Sequence, residues 1–235
     1  VKKIIVVFIL VLTISAFSLN IITSIKPLEL ITRELAPNSI IYNIYNTYDT
    51  FKNLKIESKD FKNTDLIIIL NDEIEINSAV NKVVLSEGVL FYPYKENPFI
   101  WSDPLYSIVI AYKIEKKLEN IDPDNASKYR DNLLNFTQKI IDLSDAFSKE
   151  IQNKKISIID INNIFIHFYE RYGIDYKVYN KNTTITNDKI LISNYDYKNP
   201  IYKNLKNKKV MVDIFASKYN NIINFYKSII ENLLN

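Results

Sequence analysis

IDPDNASKYRDNLLNFTQKIIDLSDAFSKEIQNK, residues Ile121 to Lys154, is the stretch on which the fold turns. Asp122-Pro123 is a helix opener. The carboxylate can accept from the free N–H groups of a first turn, and proline at the first helical position lacks an N–H that has no partner there. No glycine or proline interrupts the run that follows. Tyr129, Leu133, Leu134, Phe136, Ile140, Ile141, Leu143 and Phe147 recur along it at helical spacing. At about 1.5 Å per residue such a helix spans on the order of 45 Å, the length of a whole domain. It is predicted to run over 122–154 and to link two lobes stiffly.

Both flanks alternate short apolar runs with helical patterns. On the N-terminal side, NIITSI (from Asn20), IIYNIYN (from Ile40), DLIIIL (from Asp65) and KVVLSEG (from Lys82) read as strands. PLELITREL, opened by Pro27, reads as a helix. On the C-terminal side KISIID, KILIS and KVMVDIF read as strands. NNIFIHFYERYG reads as a helix ended by Gly173, and SKYNNIINFYKSIIENLL as a closing helix that Ser217 can cap. Strands separated by helices imply parallel pairing, so the fold class is α/β, with two lobes of mainly parallel sheet joined by one backbone helix. The divisions expected are a signal peptide over 1–18, a first lobe over 19–121, the connecting helix over 122–154 and a second lobe over 155–235. The two lobes share only their strand-helix rhythm.

NPFIWSDP, Asn97 to Pro104, precedes a further helix, DPLYSIVIAYKIEKKLEN, whose apolar positions include Leu105, Ile108, Val109, Tyr112 and Leu118. It holds the only tryptophan. Asp103 is the natural N-cap of that helix and Pro104 its first residue.

Of 235 residues, 47% are apolar and 24% charged, and the net charge is +3. That is a globular composition, and the absence of any cationic block argues against nucleic acid as a partner. VKKIIVVFILVLTISAFS begins with two lysines, continues with an apolar run and offers small residues at Ala16 and Ser18. It reads as a secretory signal cleaved after Ser18; an uncleaved anchor is the alternative. Absence of cysteine means no disulfide framework and no lipid-bearing Cys. The sequons at Asn125, Asn135 and Asn182 are as readily chance in so Asn-rich a chain. No nucleophile elbow, phosphate loop, paired-His motif or Cys nucleophile is present, so no enzyme is expected. Asp72 and Glu73 read as a solvated pair.

TSIKPL (Thr23 to Leu28), FKNTDLIII (from Phe61), NPFIWSDP with the helical run to Phe136, RYG (Arg171 to Gly173) and VDIFASKYNNIINFYKSIIENL carry a resemblance over nearly the whole chain. It is to the zinc/manganese-type (TroA-like) solute-binding proteins of ABC transporters. That resemblance implies capture of a metal ion between lobes by His or carboxylate ligands from four segments, and docking onto a membrane permease with its ATPase. It also implies an exported and monomeric protein. Neutral imidazole and carboxylate suit Zn²⁺ and Mn²⁺ alike.

Carried over position by position, the first ligand falls near Asp49, the second on Phe99, the third on Asn162 and the fourth on Asp213. Only the fourth is kept in type. Asp49 can ligate as a carboxylate, Asn162 only through its carbonyl oxygen, and Phe99 not at all. Trp101 and Asp103 read as scaffold for the loop that carries Phe99. The lone His167 lies about a turn and a half beyond Asn162, so it does not simply substitute for the missing ligand, and it reads as a packed or rim histidine. Three readings stay open: an oxygen-rich site for a harder cation such as Mn²⁺, a non-metal solute held by Phe99, Trp101 and Tyr48, or a surface interaction protein that binds no solute.

Overall fold

The computed structural model describes residues 18–45, 61–70, 80–87, 97, 99–152, 154–193 and 206–234. The signal-like residues 1–17, Tyr48, Asp49, Asp72 and Glu73 lie outside them. The first lobe contains β1 (Asn20–Ile25), α1 (Lys26–Leu35), β2 (Ile40–Tyr45), β3 (Leu66–Ile69) and β4 (Lys82–Val84). Then come α2 (Pro104–Ile121) and α3 (Ala126–Gln152). The second lobe contains β5 (Ser157–Asp160), α4 (Ile166–Tyr172), β6 (Asp175–Val178), β7 (Lys189–Ser193), β8 (Lys209–Val212) and α5 (Ile222–Leu234).

The first sheet runs β2-β1-β3-β4 and the second β6-β5-β7-β8. Every pairing is parallel. The two lobes therefore share strand order as well as rhythm: in each, the first strand lies second in the sheet. The inner strands are the apolar runs. All four residues of β3 are buried, as a strand covered on both faces requires. β6 escapes sequence reading because it is an edge strand, bonded only to β5, with three of its four residues exposed.

The long helix is 27 residues, about 40 Å, and the three residues before it form a 3₁₀ turn at Pro123–Asn125. It buries Tyr129, Phe136, Ile140, Leu143, Phe147 and Ile151, whereas Leu134 and Ile141 are 67% and 39% exposed. α3 packs on α1 and α2 on one side and on α4 and α5 on the other. Asn132 Nδ2 donates to the carbonyl of Leu35 at the end of α1 at 2.8 Å. Ser144 Oγ accepts from the Tyr172 hydroxyl at the end of α4 at 2.9 Å. One helix thus holds an element of each lobe.

Two helix details differ from the sequence reading. α2 buries Ser107, Ile110, Ala111, Ile114, Glu115 and Leu118, while Val109 and Tyr112 are 42% and 53% exposed. The buried face thus includes small and polar residues, Ser107, Ala111 and Glu115, because close packing selects shape as well as hydrophobicity. α4 begins at Ile166 rather than at Asn162, and Gly173 ends it in the left-handed region at φ 62°. A side chain there would meet no atom within 4 Å, so glycine serves the backbone conformation and not space.

Asp188 fixes the far edge of the second sheet. Its carboxylate accepts from Ser157 Oγ at 2.5 Å, from the Thr186 N–H at 3.0 Å and from Thr186 Oγ1 at 3.1 Å. The Ser157 bond first, then Thr186, hold its pKa at about 2. An unfolded-chain Asp titrates near 3.9, so the folded value is the lower one. The stabilisation is therefore present above about pH 4 and is lost as the pH falls toward 2. Asp188→Asn is expected to be about 1–2 kcal/mol less stable at pH 7. Its gap to the natural chain should close between pH 4 and pH 2 in urea unfolding.

Candidate functional site

In parallel α/β sheets ligands bind beyond the carboxyl ends of the strands. Here the segment Asn97 to Asp103 is held against the loops that leave the second sheet at that edge. Asn97 Nδ2 donates to the Asn163 carbonyl at 2.5 Å, and His167 Nε2 lies 3.2 Å from the Asn97 carbonyl. Trp101 Nε1 donates to the Ile214 carbonyl at 2.8 Å, and the Tyr226 hydroxyl donates to the Trp101 carbonyl at 2.9 Å. Arg171 Nε meets Asp103 Oδ2 at 2.9 Å. These five bonds fasten the segment to the second lobe, although in sequence it precedes α2.

Trp101 is 1% exposed. Its ring meets Phe99 edge-on at 5.4 Å and Phe215 at 6.2 Å. Asp103 caps α2 by accepting from the Leu105 N–H at 2.9 Å with the oxygen that Arg171 does not use. Burial pushes the Asp103 carboxyl above its ordinary pKa, and Arg171 pulls it back down. Burial holds His167 below the usual imidazole value, which favours the neutral ring, while the Asn97 bond and Asp103 oppose that shift.

The carried-over ligand positions are engaged as follows. Phe99 is half-buried, and its N–H is bound by Asn97 Oδ1 at 3.0 Å. Asn162 donates its N–H to Asp160 Oδ1 at 3.0 Å, and its side-chain oxygen accepts from the Ser193 N–H at 3.3 Å. That oxygen ties the β5–α4 loop to the end of β7. Asp213 Oδ2 accepts from Ser217 Oγ at 2.7 Å and from the Lys218 N–H at 3.2 Å. Ser217 therefore serves Asp213 and does not cap α5, whose start is held by Asn221 Oδ1 accepting from the Asn224 N–H at 2.8 Å. Trp101 brings two of the positions into one neighbourhood, touching Phe99 on one side and bonding the residue after Asp213 on the other. Asp49 lies outside the described residues. Among the described residues no group of three or more His, Cys, Asp or Glu is placed to hold a metal ion.

Asp160 and Asn97 organise this region, and sequence reasoning passed over both. Asp160, the last residue of β5, is fully buried and accepts from the N–H groups of Asn162, Ile164 and Phe165 and from the Tyr169 hydroxyl, at 2.9 to 3.1 Å. Burial pushes its pKa up while these donors oppose the shift. The 161–165 loop is wound around one carboxylate. The only sequence signal for it is an Asp ending the apolar run KISIID.

Two parallel α/β lobes on one long helix, with the segment ahead of α2 fastened to loops of the second lobe, have the architecture of a cleft-type solute receptor. The chain belongs to the family of the zinc-uptake complex component A, periplasmic (ZnuA), whose model matches residues 21–222. The zinc/manganese-type resemblance read from the sequence is thus upheld. Over 84 residues the chain is 33% identical to the manganese ABC transporter substrate-binding lipoprotein PsaA of Streptococcus pneumoniae serotype 4. That match covers 34% of this chain and 27% of PsaA, so it spans about a quarter of the relative's length. A crystal structure of ZnuA superposes with a TM-score of 0.77 at 12% identity, over 93% of this chain and 98% of that one. The laminin-binding protein Lmb of Streptococcus agalactiae, a bifunctional protein with adhesin and metal transporting activity, superposes with a TM-score of 0.75 at 13% identity, over 92% and 99%. At these identities the superpositions show the fold alone.

Proposed function

We propose that this chain is the exported solute-binding component of an ABC-type importer for a divalent metal ion of the zinc/manganese class, working with a membrane permease and its ATPase, and that it is not an enzyme. The observation that carries this is the family match across residues 21–222 of a chain in which the segment 97–103, ahead of α2, is bonded to the second lobe. The solute would be taken at the carboxyl edges of the two sheets. The five bonds from the second lobe keep the Phe99 wall of that cleft fixed to it. α3, bonded to both lobes, limits hinge bending.

Asp49, Asn162 and Asp213 are the oxygen donors proposed at the family's ligand positions. Asn162 and Asp213 already accept hydrogen bonds from their own loops. Metal uptake there competes with those bonds, so the affinity expected is weaker than a dedicated site of carboxylates and imidazoles gives. A half-buried phenyl ring at one ligand position favours, as the second reading, a small non-metal solute stacked on Phe99; Trp101, expected from sequence to share that contact, is buried behind Phe99 and only supports it.

Calorimetric titration of the purified chain with Zn²⁺, Mn²⁺ and Ca²⁺ tests the proposal. One equivalent of Zn²⁺ or Mn²⁺ is expected to bind, and Asp213→Ala should weaken that binding at least about tenfold. No heat with either Zn²⁺ or Mn²⁺, whatever Ca²⁺ does, would overturn the metal reading; no heat with any of the three leaves the non-metal solute.

A further inference from the structure

His167 is the chain's single histidine, and its two ring nitrogens are in opposite circumstances. Nε2 lies 3.2 Å from the carbonyl oxygen of Asn97. A carbonyl can only accept, so Nε2 carries the proton and Nδ1 is a bare lone pair. Nδ1 is buried and has no hydrogen-bond partner, and the residue as a whole is 3% exposed. Tyr106 holds the ring from the side, edge-on with centroids 5.6 Å apart.

Asn163, on the loop leading into α4, repeats the pattern. Its backbone is in the left-handed region at φ 54°, and its main-chain carbonyl takes the Asn97 amide at 2.5 Å. Its side-chain oxygen Oδ1 is buried and unpartnered. Two residues bound to the same Asn97 thus each present an unused acceptor. Buried acceptors normally find donors, so each such group calls for a cause. Among the described residues the cation nearest this junction, Arg171, is already paired with Asp103 at 2.9 Å, and the buried Asp160 carboxylate is engaged by its own loop.

Resting on the metal reading above, we propose that His167 Nδ1 and Asn163 Oδ1 are donors to the divalent transition-metal ion taken as solute. The imidazole that the family resemblance would put at Phe99 is then supplied from the first turn of α4. A metal-ligating histidine usually donates its other N–H to a carbonyl or carboxylate, which fixes its tautomer, and His167 is set in that way on Asn97. Neutral imidazole with an amide oxygen suits borderline ions such as Zn²⁺ better than Ca²⁺, which takes oxygen alone.

Because there is one histidine, any imidazole nitrogen bound to metal must be His167. A tag-free chain labelled with ¹⁵N-histidine is titrated with Zn²⁺, with calorimetry in parallel. The expected result is that the Nδ1 resonance leaves the bare-lone-pair position as one equivalent binds, while Nε2 keeps its proton. Zn²⁺ affinity should fall about 100-fold in His167→Gln and about tenfold in Asn163→Ala. Calorimetric binding of Zn²⁺ with an unmoved Nδ1 resonance overturns this assignment and leaves the metal reading standing. Binding of neither Zn²⁺ nor Mn²⁺ overturns both. If Mn²⁺ alone binds, a His167 ring left unbroadened rejects the assignment, and a loss of Mn²⁺ affinity of about 100-fold in His167→Gln supports it.

Discussion

Trp101→Ala is expected to lower the unfolding free energy by roughly 4–8 kcal/mol, a large part of what a domain of this size commonly has. The indole is 1% exposed and packs between Phe99 and Phe215. Truncating a buried aromatic to alanine costs about 3–5 kcal/mol. The substitution also removes the Nε1–H that serves the Ile214 carbonyl, and a buried acceptor left alone costs about 1–3 kcal/mol more. The Tyr226 bond goes to the main-chain oxygen and survives, which limits the loss. Trp101→Phe keeps most of the volume and loses the Ile214 bond, so about 1–3 kcal/mol is expected.

Unfolding by urea followed by circular dichroism measures both variants, since the only tryptophan is the residue removed. The position of Trp101 adds a second expectation. It joins the segment ahead of α2 to the loop after β8, and through Tyr226 to α5. In Trp101→Ala the single cooperative transition should broaden or split, with a lower denaturant slope. A loss under about 1.5 kcal/mol with an unchanged slope would falsify the view that Trp101 couples the lobes.

How much of this was legible beforehand follows a physical line. Buried strands announce themselves: LIII of β3 is apolar throughout because both of its faces are covered. β6, DYKV, is exposed and held by main-chain bonds to one neighbour, so its side chains carry no period to read. α3 was visible because an unbroken helical stripe is a property of one segment alone. The buried face of α2 was not, because Ser107, Ala111 and Glu115 are buried there for fit to partners that a sequence does not display. Trp101 could be recognised as an anchor and Asp103 as a cap from type and position. Asn97 could not: its importance lies in bonds to Asn163 and His167, more than sixty residues away in sequence. The unused nitrogen of His167 is likewise a fact about what does not surround it. From sequence the ring was correctly read as packed, yet a packed ring and a ligand look the same until the second nitrogen is seen without a partner.

Asp160→Ala is expected to cost about 3–5 kcal/mol and to weaken solute binding as well. One carboxylate terminates β5 and accepts from three main-chain N–H groups and a tyrosine hydroxyl, and Asp160, Ile164, Phe165 and Tyr169 are all fully buried. Alanine leaves those donors facing each other with no water to take them, so the 161–165 loop must unwind or bear the penalty. Asp160→Asn separates the acceptor from the charge. Its one carbonyl oxygen can still serve the Ile164 and Phe165 N–H groups and the Tyr169 hydroxyl, as Oδ2 now does. The amide nitrogen then points at the Asn162 N–H, donor against donor, in place of Oδ1. About half the alanine loss is expected, roughly 2 kcal/mol, because one contact of four is reversed. The loop carries Asn162 and Asn163 and leads into His167, so metal affinity should fall in the same order, alanine below asparagine below the natural chain. Equal stability of all three proteins in urea would show that the donors find other acceptors. Lost stability with unchanged metal affinity would show that the loop has no part in the solute site.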